Sequence, residues 1–494
     1  TISRLNIWTH QQILDYASKA LQYRNDPQTN RLWNSHITLT AGGKISDTED
    51  TFSQQSERIR RRVIPKDYRV SRVYTSTQSV STEYSGGTFN LKDAINSGTQ
   101  FVQFMGHGGG RVWADYNLFN FNDVATLNNQ TYPVFLSLAC YASAFDTNGA
   151  SSISEALVLQ AGKGAIAALG FSGLGYLDHD EGWGLAYNEA AFTHDFDTLG
   201  EAYIFALARF FTTTASPAAR YALTNASAYL GDPLIKLNKP IANVSVTPLN
   251  PNPNAGEQVT IQAEFPSSVN SARLYVMNNN ETVINVPYDL PVLEGVFNAS
   301  YTIPASDDNS TRMMYVAGYS SDKEYVGHSG IGIGRPMVMH HALTPAQPTY
   351  ADSVDFSARL FSPVEIVQME CSVRVDSVYV NNQWVGVWEN LPMQPSNEDN
   401  TIWQTTQRLR KFNTGKDIFF KYKYTDVDNV SYESVPSSYQ VAGPDLFLRD
   451  LIFDASDGVP KLKVKSTNVG NCASVNTDLR LYYTPEGGDL TLAT

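Results

Sequence analysis

The chain has 494 residues, of which 42% are hydrophobic and 17% are charged, so every part of it can contribute to a packed core. This length exceeds a single hydrophobic core and predicts about three or four domains. The formal net charge of −13 argues against a nucleic-acid-binding protein, which would present a basic face, and against adhesion to anionic lipid.

Residues 1–240 alternate helix-like and strand-like apolar patterns, which predicts an α/β domain with a mostly parallel sheet covered on both faces. In chain order, the spacing of apolar residues predicts helices over 6–23, 52–63, 89–96, 119–127, 151–160 and 199–213. Short apolar runs between them predict strands over 36–41, 69–75, 99–105, 132–139 and 164–169.

The pattern changes at Ile241, where Pro, Asn, Ser and Thr become frequent and short alternating segments appear. This texture is typical of antiparallel, Ig-like β-sandwich modules. We expect one such module over 241–335 and a second over 336–442, followed by an incomplete third over 443–494. The Pro-containing seams near Pro240 and Pro444 fit linkers between them.

The three cysteines, Cys140, Cys371 and Cys472, are too few and too widely spaced for a disulfide framework or a zinc motif. Cys371 and Cys472 are expected in sandwich cores. No apolar run of about 20 residues predicts a membrane span. Because the chain shows neither a starting Met nor a basic-then-apolar leader, we expect a processed or excerpted piece of a longer protein.

Two predicted strands end in chemically reactive residues. His107, followed by three glycines, comes two residues after the strand over 99–105, and Cys140 directly follows the strand over 132–139. The chain between them is long enough for one crossover helix, which would place the two strands as neighbours or near-neighbours with both side chains at the same sheet edge.

A thiolate is a strong nucleophile, and an imidazole beside it can protonate a leaving amine and later activate water. The amides of Gly108 and Cys140 can then form an oxyanion hole. The alternatives are that Cys140 is a small buried apolar residue and that the glycines form a tight turn or a phosphate cradle. No Gly-x-Gly-x-x-Gly or Lys-Ser/Thr motif follows, which disfavours the nucleotide interpretation.

Three segments together resemble the gingipain-type cysteine peptidases, which belong to the same wider group as the caspases and legumains. The HGGGRVWAD segment at 107–115 resembles their catalytic His-Gly loop, and FLSLAC at 135–140 resembles the strand that delivers their nucleophile. The YLGDPL segment at 229–234 resembles the end of their catalytic domain. The resemblance covers about residues 1–240 and implies a caspase-like fold. The family usually has another α/β subdomain ahead of this one, which we expect to be missing from this piece.

By this resemblance His107 and Cys140 are the catalytic pair and Gly108 contributes to the oxyanion hole. Some members orient the His with an acidic residue in the loop after the first strand. The corresponding loop here offers Asp47, Glu49 and Asp50, of which Glu49 is favoured, although any of the three can instead cap the following helix.

Substrate preference is expected to depend on the pocket beside Cys140. Met105 occupies a predicted floor position, and the loop over 171–183 is a predicted wall, in which Trp183 can contact a side chain. Its acidic residues, Asp178, Asp180 and Glu181, allow three interpretations: selection of a basic substrate, a solvated acidic loop, or a structural calcium site. No cofactor is required by the predicted chemistry.

The predicted function is therefore an exported cysteine endopeptidase that acts on a protein or peptide substrate, with β modules that hold or present it. The resemblance implies a secreted or cell-surface location, outside the bacterial outer membrane, and partners in the type IX secretion pathway. One alternative is a sortase-like transpeptidase of that pathway. The other is a non-catalytic secretion or binding scaffold.

Overall fold

A computed structural model describes most of the chain, and it divides the chain into two compact units, residues 1–335 and 336–494. The described residues are 3–25, 32–42, 51–75, 86–114, 118–145, 152–214, 216–307, 309–321, 323–375, 378–380, 383–385, 388–396, 400–413, 416–434, 436–443, 446–454, 461–468, 482–483 and 491–492. The finer boundaries near 240 and 442 stay predictions.

The first part of unit 1–335 is an α/β domain built on a six-stranded sheet with strand order β2-β1-β3-β7-β8-β9. Neighbouring strands are parallel except β9, which runs antiparallel to β8. Its strands are His36–Gly42 (β1), Arg69–Thr75 (β2), Phe101–Gly106 (β3), Val134–Leu138 (β7), Ala167–Phe171 (β8) and Ser227–Gly231 (β9). Every residue of β1, β3, β7 and β8 is buried, as expected for a sheet covered on both faces.

Eight helices accompany this sheet among the described residues. They are His10–Asn25 (α1), Thr51–Val63 (α2), Thr88–Ser97 (α3), Phe121–Ala125 (α4), Ile153–Leu159 (α5), Leu177–Phe192 (α6), Leu199–Thr213 (α7) and Pro217–Ala226 (α8). The first residue of several helices follows a capping side chain; Ser152 caps α5 and Thr198 caps α7, each paired with a Glu three residues later.

The two faces of the sheet have separate packing partners. Residues of α1, α3, α4 and α5 join one apolar cluster with Phe104 of β3, while α6 packs against α2 and α7 on the side that Met105 faces. Adjacent strand residues point to opposite faces, which explains why Phe104 and Met105 belong to different layers. The result is a three-layer domain with the strand ends free to carry a site at one edge.

A small antiparallel sheet follows β3 and shapes the loop after it. Its strands are Gly108–Gly109 (β4), Val112–Trp113 (β5) and Phe119–Asn120 (β6). Trp113 is fully buried and stacks on Phe104, with ring centroids 4.6 Å apart. The indole therefore fixes the glycine-rich hairpin onto the core.

The second part of unit 1–335 is an antiparallel β module, with the strand path β10-β11-β14-β13-β12-β15-β16. The strands are Ser245–Pro248 (β10), Gln258–Glu264 (β11), Ser271–Met277 (β12), Leu290–Leu293 (β13), Val296–Thr302 (β14), Ser310–Tyr319 (β15) and Glu324–Ile333 (β16). Alternate residues of β11, such as Val259 and Ile261, are buried in its own apolar cluster.

The α/β domain and this β module share buried polar contacts. The carboxylate of Glu324, 2% exposed, accepts the backbone N–H groups of Asn34 and Ser35, both at 2.9 Å. Glu281 accepts from the guanidinium groups of Arg60 and Arg72, each at 2.9 Å. Glu324 is therefore a buried acceptor for two N–H groups of the α/β domain, whereas Arg60 and Arg72 pair with Glu281 in addition to partners within their own domain.

Unit 336–494 contains an antiparallel sheet and separate strand pairs. Its strands are Met337–Thr344 (β17), Asp355–Phe361 (β18), Ile366–Val375 (β19), Val378–Val380 (β20), Gln383–Val385 (β21), Glu389–Pro395 (β22), Ile402–Thr405 (β23), Asp417–Asp426 (β24), Ser431–Glu433 (β25), Ser437–Gln440 (β26), Leu446–Asp454 (β27), Lys461–Asn468 (β28), Tyr482–Tyr483 (β29) and Thr491–Leu492 (β30). Of the pairs, β20-β21 lies between β19 and β22 in the chain, and β27-β28 and β29-β30 follow the sheet. Cys371 lies fully buried in its apolar cluster, as expected, and Cys472 lies outside the described residues.

The α/β part differs from expectation after β8. The sequence predicts a strand ending at 169 and a loop through 183, but β8 continues to Phe171 and α6 begins at Leu177. Helix α8 and strand β9 were not predicted. Within the part of the chain that the structure describes, no helix is both long and apolar enough to cross a membrane.

Candidate active site

The two predicted catalytic residues follow neighbouring strands. β3 and β7 are adjacent and parallel, and Met105 pairs with Leu138 in their register. His107 and Cys140 each stand two residues beyond that pair, so they occupy corresponding positions at the carboxyl edge of the sheet. The expectation that both residues follow adjacent strands at one sheet edge agrees with this register, and their role as a catalytic pair stays a prediction.

Glycines allow the loop of His107 to approach the turn of Cys140. A Cβ at Gly108 would lie 3.0 Å from the Cβ of Ala139, the residue before Cys140. A Cβ at Gly106 would overlap the carbonyl oxygen of Gly42 at the end of β1. The close approach of three chain segments at this edge therefore requires residues without side chains.

Two backbone hydrogen bonds anchor His107. Its N–H donates to Gly42 O at 3.2 Å and its carbonyl accepts from Ala114 N at 2.8 Å. The half-buried ring packs edge-to-face against Phe52 of α2, with centroids 5.0 Å apart and planes at 83°. The contact with Phe52 restricts the orientation of the ring, which stays partly exposed to solvent.

Cys140 is half-buried, and its sulfur contacts the loop after β8. The N–H of Gly175 points at Sγ, at 3.3 Å, and the next residue, Tyr141, donates its own N–H to Gly173 O at 2.7 Å. Tyr141 has a positive φ of 58°, which turns the chain sharply after the cysteine. The thiol also lies 3.8 Å from Gly175 O, so both backbone groups of Gly175 contact the sulfur.

Two predicted substrate-contacting residues belong instead to the core. Trp183 is 1% exposed and stacks on Tyr187 one helical turn later, with centroids 5.7 Å apart. Because α6 begins at Leu177, the helical period turns Trp183 inward rather than toward the edge. Met105 is fully buried, on the side of the sheet that faces α6, so it does not line an open groove.

The acidic residues of the predicted wall are also engaged. Asp180 is buried and accepts the N–H of Tyr176 at 2.8 Å, and burial raises the pKa of its carboxyl to about 6. Glu181 forms a two-pronged ion pair with Arg58 of α2, with both N–O distances at 2.6 Å. Asp178 lies in α6, and its side chain is not among those that the structure describes.

The residues predicted to orient the histidine, Asp47, Glu49 and Asp50, lie outside the described residues. Residues 43–50, which include all three, lie outside the description as well. Within the described ranges, no three His, Cys, Asp or Glu residues lie close enough together to hold a metal ion.

Sequence reasoning did not identify Gly175, which makes the direct contact with the sulfur of Cys140. This contact uses the main chain, so no reactive side chain marks it in the sequence. The available signal was a glycine between two large apolar residues, Leu174 and Tyr176, soon after a buried strand.

Replacement of Asp180 by asparagine is expected to change how stability depends on pH. The native carboxyl, with its raised pKa, binds a proton more tightly when folded than when unfolded. Its contribution is therefore complete below pH 3.8 and is lost as the pH rises through about 6. In urea unfolding, the free energy of unfolding of the native protein, relative to that of Asp180→Asn, should fall by up to ~3 kcal/mol between pH 4 and pH 7. An unchanged difference between the two pH values would contradict this account of Asp180.

Comparison with known proteins gives a family for the first part of the chain. The family model described as peptidase family C25 matches residues 1–238. No curated protein matches the chain.

Three solved structures are similar over 67% of this chain. One is the complex of the Porphyromonas gingivalis RgpB pro- and mature domains, at 13% identity and a TM-score of 0.40, over 76% of that chain. Another is the Arg-specific cysteine proteinase gingipain R, at 14% identity and a TM-score of 0.39, over 74% of that chain. A third is described as a protease, at 17% identity and a TM-score of 0.40, over 74% of that chain.

These identities are low, and the assignment rests on the sequence match, which covers the α/β domain from its first residues to the end of β9. The sequence match therefore places the α/β domain, residues 1–238, in peptidase family C25, the gingipain family of cysteine peptidases.

Proposed function

We propose that the protein is a cysteine endopeptidase in which Cys140 is the nucleophile and His107 is the acid–base residue. The observation that carries the proposal is the register of β3 and β7, in which both residues stand two positions beyond the pair Met105–Leu138. Membership in a cysteine peptidase family supplies the reaction class.

The reaction proceeds in two halves. In the first, His107 takes the proton of the Cys140 thiol, Sγ forms a bond to the carbonyl carbon of the scissile peptide, the C–N bond breaks, and His107 passes that proton to the departing amine. In the second, His107 takes a proton from water and the hydroxide attacks the thioester. The C–S bond then breaks, His107 returns the proton to the sulfur, and the carboxylic acid product leaves. Protons and bonds balance with water as the only added reactant.

Backbone amides are proposed to stabilise the oxyanion of each tetrahedral intermediate. Cys140 N is a good candidate, because it finds no backbone carbonyl acceptor among the described residues, in contrast to Tyr141 N, which bonds to Gly173 O. Gly108 lies against the turn of Cys140 and offers the second donor. Fixed N–H donors of this type stabilise the developing charge without having to reorganise.

We further propose that the protein is exported and acts in a secreted or cell-surface setting, with type IX secretion components as partners. The resemblance to gingipain-type peptidases supports this location. The β modules after residue 240 are proposed to be Ig-like, which is supported by their antiparallel pairing and alternating burial. In unit 1–335, the buried contacts of Glu324 and Glu281 suit a module that holds the peptidase domain.

The competing activity is transfer of the acyl group to an amine, as in a sortase-like transpeptidase. Cleavage of a labelled protein substrate in the presence of added glycine amide distinguishes the two reactions by product mass. Under this proposal the main product carries a free carboxyl group. A predominance of the glycine amide adduct would instead assign the transpeptidase, and an intact, folded chain that cleaves nothing would favour the scaffold.

A further inference from the structure

The loop between β8 and α6 reaches the sulfur of Cys140 and exposes apolar side chains on both sides of that contact. Gly175 donates its N–H to Sγ at 3.3 Å. Its neighbours Leu174, Tyr176 and Leu177 are 53%, 45% and 42% exposed. Single exposed apolar residues are ordinary, but these three lie within four consecutive positions around Gly175, and leaving them in water is unfavourable.

A fourth apolar side chain comes from the turn of the nucleophile. Tyr141 is 43% exposed, and its N–H donates to Gly173 O at 2.7 Å, so its turn is tied to the same loop. Its φ of 58° is unfavourable for a non-glycine residue by ~1 kcal/mol or more. The fold therefore maintains a strained turn that keeps an aromatic ring beside Cys140.

The charged groups near these apolar side chains are not available to a basic substrate. The buried carboxylate of Asp180 packs directly against Gly175, where an added Cβ would lie only 2.6 Å from Oδ2. Its Oδ1 accepts the N–H of Tyr176. Glu181 is held by Arg58. The two described carboxylates of this segment, Asp180 and Glu181, are therefore both engaged within the protein.

We propose that Tyr141, Leu174, Tyr176 and Leu177 form a subsite for an apolar side chain on the substrate residue whose carbonyl is attacked. This inference rests on the proposed function, because it needs Cys140 as nucleophile. The attacked carbonyl carbon is bonded to the Cα of that residue, so its side chain emerges close to Sγ and within reach of the groups that flank Gly175. Burying it there removes apolar surface of both partners from water.

Two matched peptidyl acyloxymethyl ketones test the subsite, one with Leu and one with Arg at the reacting position. The thiolate of Cys140 displaces the carboxylate leaving group of either probe, and intact-protein mass spectrometry gives the rate. The Leu probe is expected to react ~10-fold or more faster than the Arg probe. Equal rates, or a faster Arg probe, would overturn the subsite.

The double substitution Leu174→Asn with Leu177→Asn is expected to reduce the preference for the Leu probe by ~10-fold. The matched control is Leu249→Asn with Leu293→Asn, two exposed leucines of the β module, which should leave the preference unchanged. A Leu preference that survives the first double substitution would place the subsite elsewhere and contradict the assignment.

A small reagent separates failure of the subsite from failure of the proposed function. Iodoacetamide needs no subsite, so its rate with Cys140 should be the same in both double variants and the native protein, which also shows that the variants are folded. If that rate falls in His107→Ala while the probes show no Leu preference, only the subsite is wrong. If it does not depend on His107, both proposals fail.

Discussion

Replacement of Cys140 by alanine is expected to abolish peptide hydrolysis while the protein stays folded. The sulfur is half-buried, and it contacts the backbone N–H of Gly175 at 3.3 Å and the carbonyl oxygen of Gly175 at 3.8 Å, so its loss should change stability by less than ~1 kcal/mol. Without a nucleophile no acyl-enzyme forms, and kcat should fall by ~10⁴-fold or more. Hydrolysis of a labelled protein substrate, together with thermal unfolding, measures both quantities.

The control for Cys140→Ala is Cys371→Ala, which removes the other described cysteine. Cys371 is buried in unit 336–494, where no residue proposed for catalysis lies. This variant should retain hydrolysis. Activity that persists in Cys140→Ala and disappears in Cys371→Ala would reverse the assignment of the nucleophile.

Replacement of Glu324 by alanine is expected to destabilise unit 1–335 more than most single substitutions. The Glu324 carboxylate is the acceptor for the N–H groups of Asn34 and Ser35, which directly precede β1. Without it, two buried donors lose their partner, at a cost of roughly 2–6 kcal/mol. Urea unfolding monitored by tryptophan fluorescence should show a correspondingly lower midpoint.

Two further variants define the origin of that effect. Glu264→Ala removes an exposed carboxylate from the same β module and should change the free energy of unfolding by about 0.5 kcal/mol at most. Glu324→Gln keeps one strong acceptor and should lie between the native protein and Glu324→Ala. If Glu324→Ala unfolds at the same urea concentration as Glu264→Ala, the buried contact contributes nothing to holding the module.

Much of the α/β domain follows from local sequence patterns. The predicted strand over 69–75 and the predicted helix over 199–213 agree with β2 and α7 in both bounds. In β2, alternating residues favour a strand, and in α7 a Thr198 cap paired with Glu201 marks the start of an apolar helix. The alternation in β2 and the cap of α7 are each contained in a few consecutive residues, so both can be recognised without knowledge of the tertiary structure.

Helix α6 was missed for a physical reason. It packs on α2, on α7 and against the sheet, so its apolar residues are spread around its circumference and form no single stripe. Two glycines, Gly182 and Gly184, further weaken the helical signal, although Gly184 is needed where its turn approaches Leu138 and Ile59. Interpreting this helix as a loop made Trp183 a substrate contact, when it belongs to the core.

The candidate site could be predicted in part. His107 and Cys140 were identified because each follows a buried strand, and parallel strands bring their carboxyl ends to one edge. The contact of Gly175 with the sulfur and the strained turn at Tyr141 could not be predicted, since both depend on how two loops meet. Long-range contacts between main-chain groups leave little trace in side-chain identity.

The central claim is that the imidazole of residue 107 activates the thiol of residue 140, and the rate at which Cys140 is alkylated tests it most directly. The measurement compares iodoacetamide labelling of Cys140 in the native protein and in His107→Ala at neutral pH, with the labelled cysteine located by peptide mass spectrometry. We expect the native rate to exceed that of the variant by ~10-fold or more, because an imidazolium beside the sulfur increases the thiolate fraction. Equal rates in the two proteins, with both folded, would contradict the account.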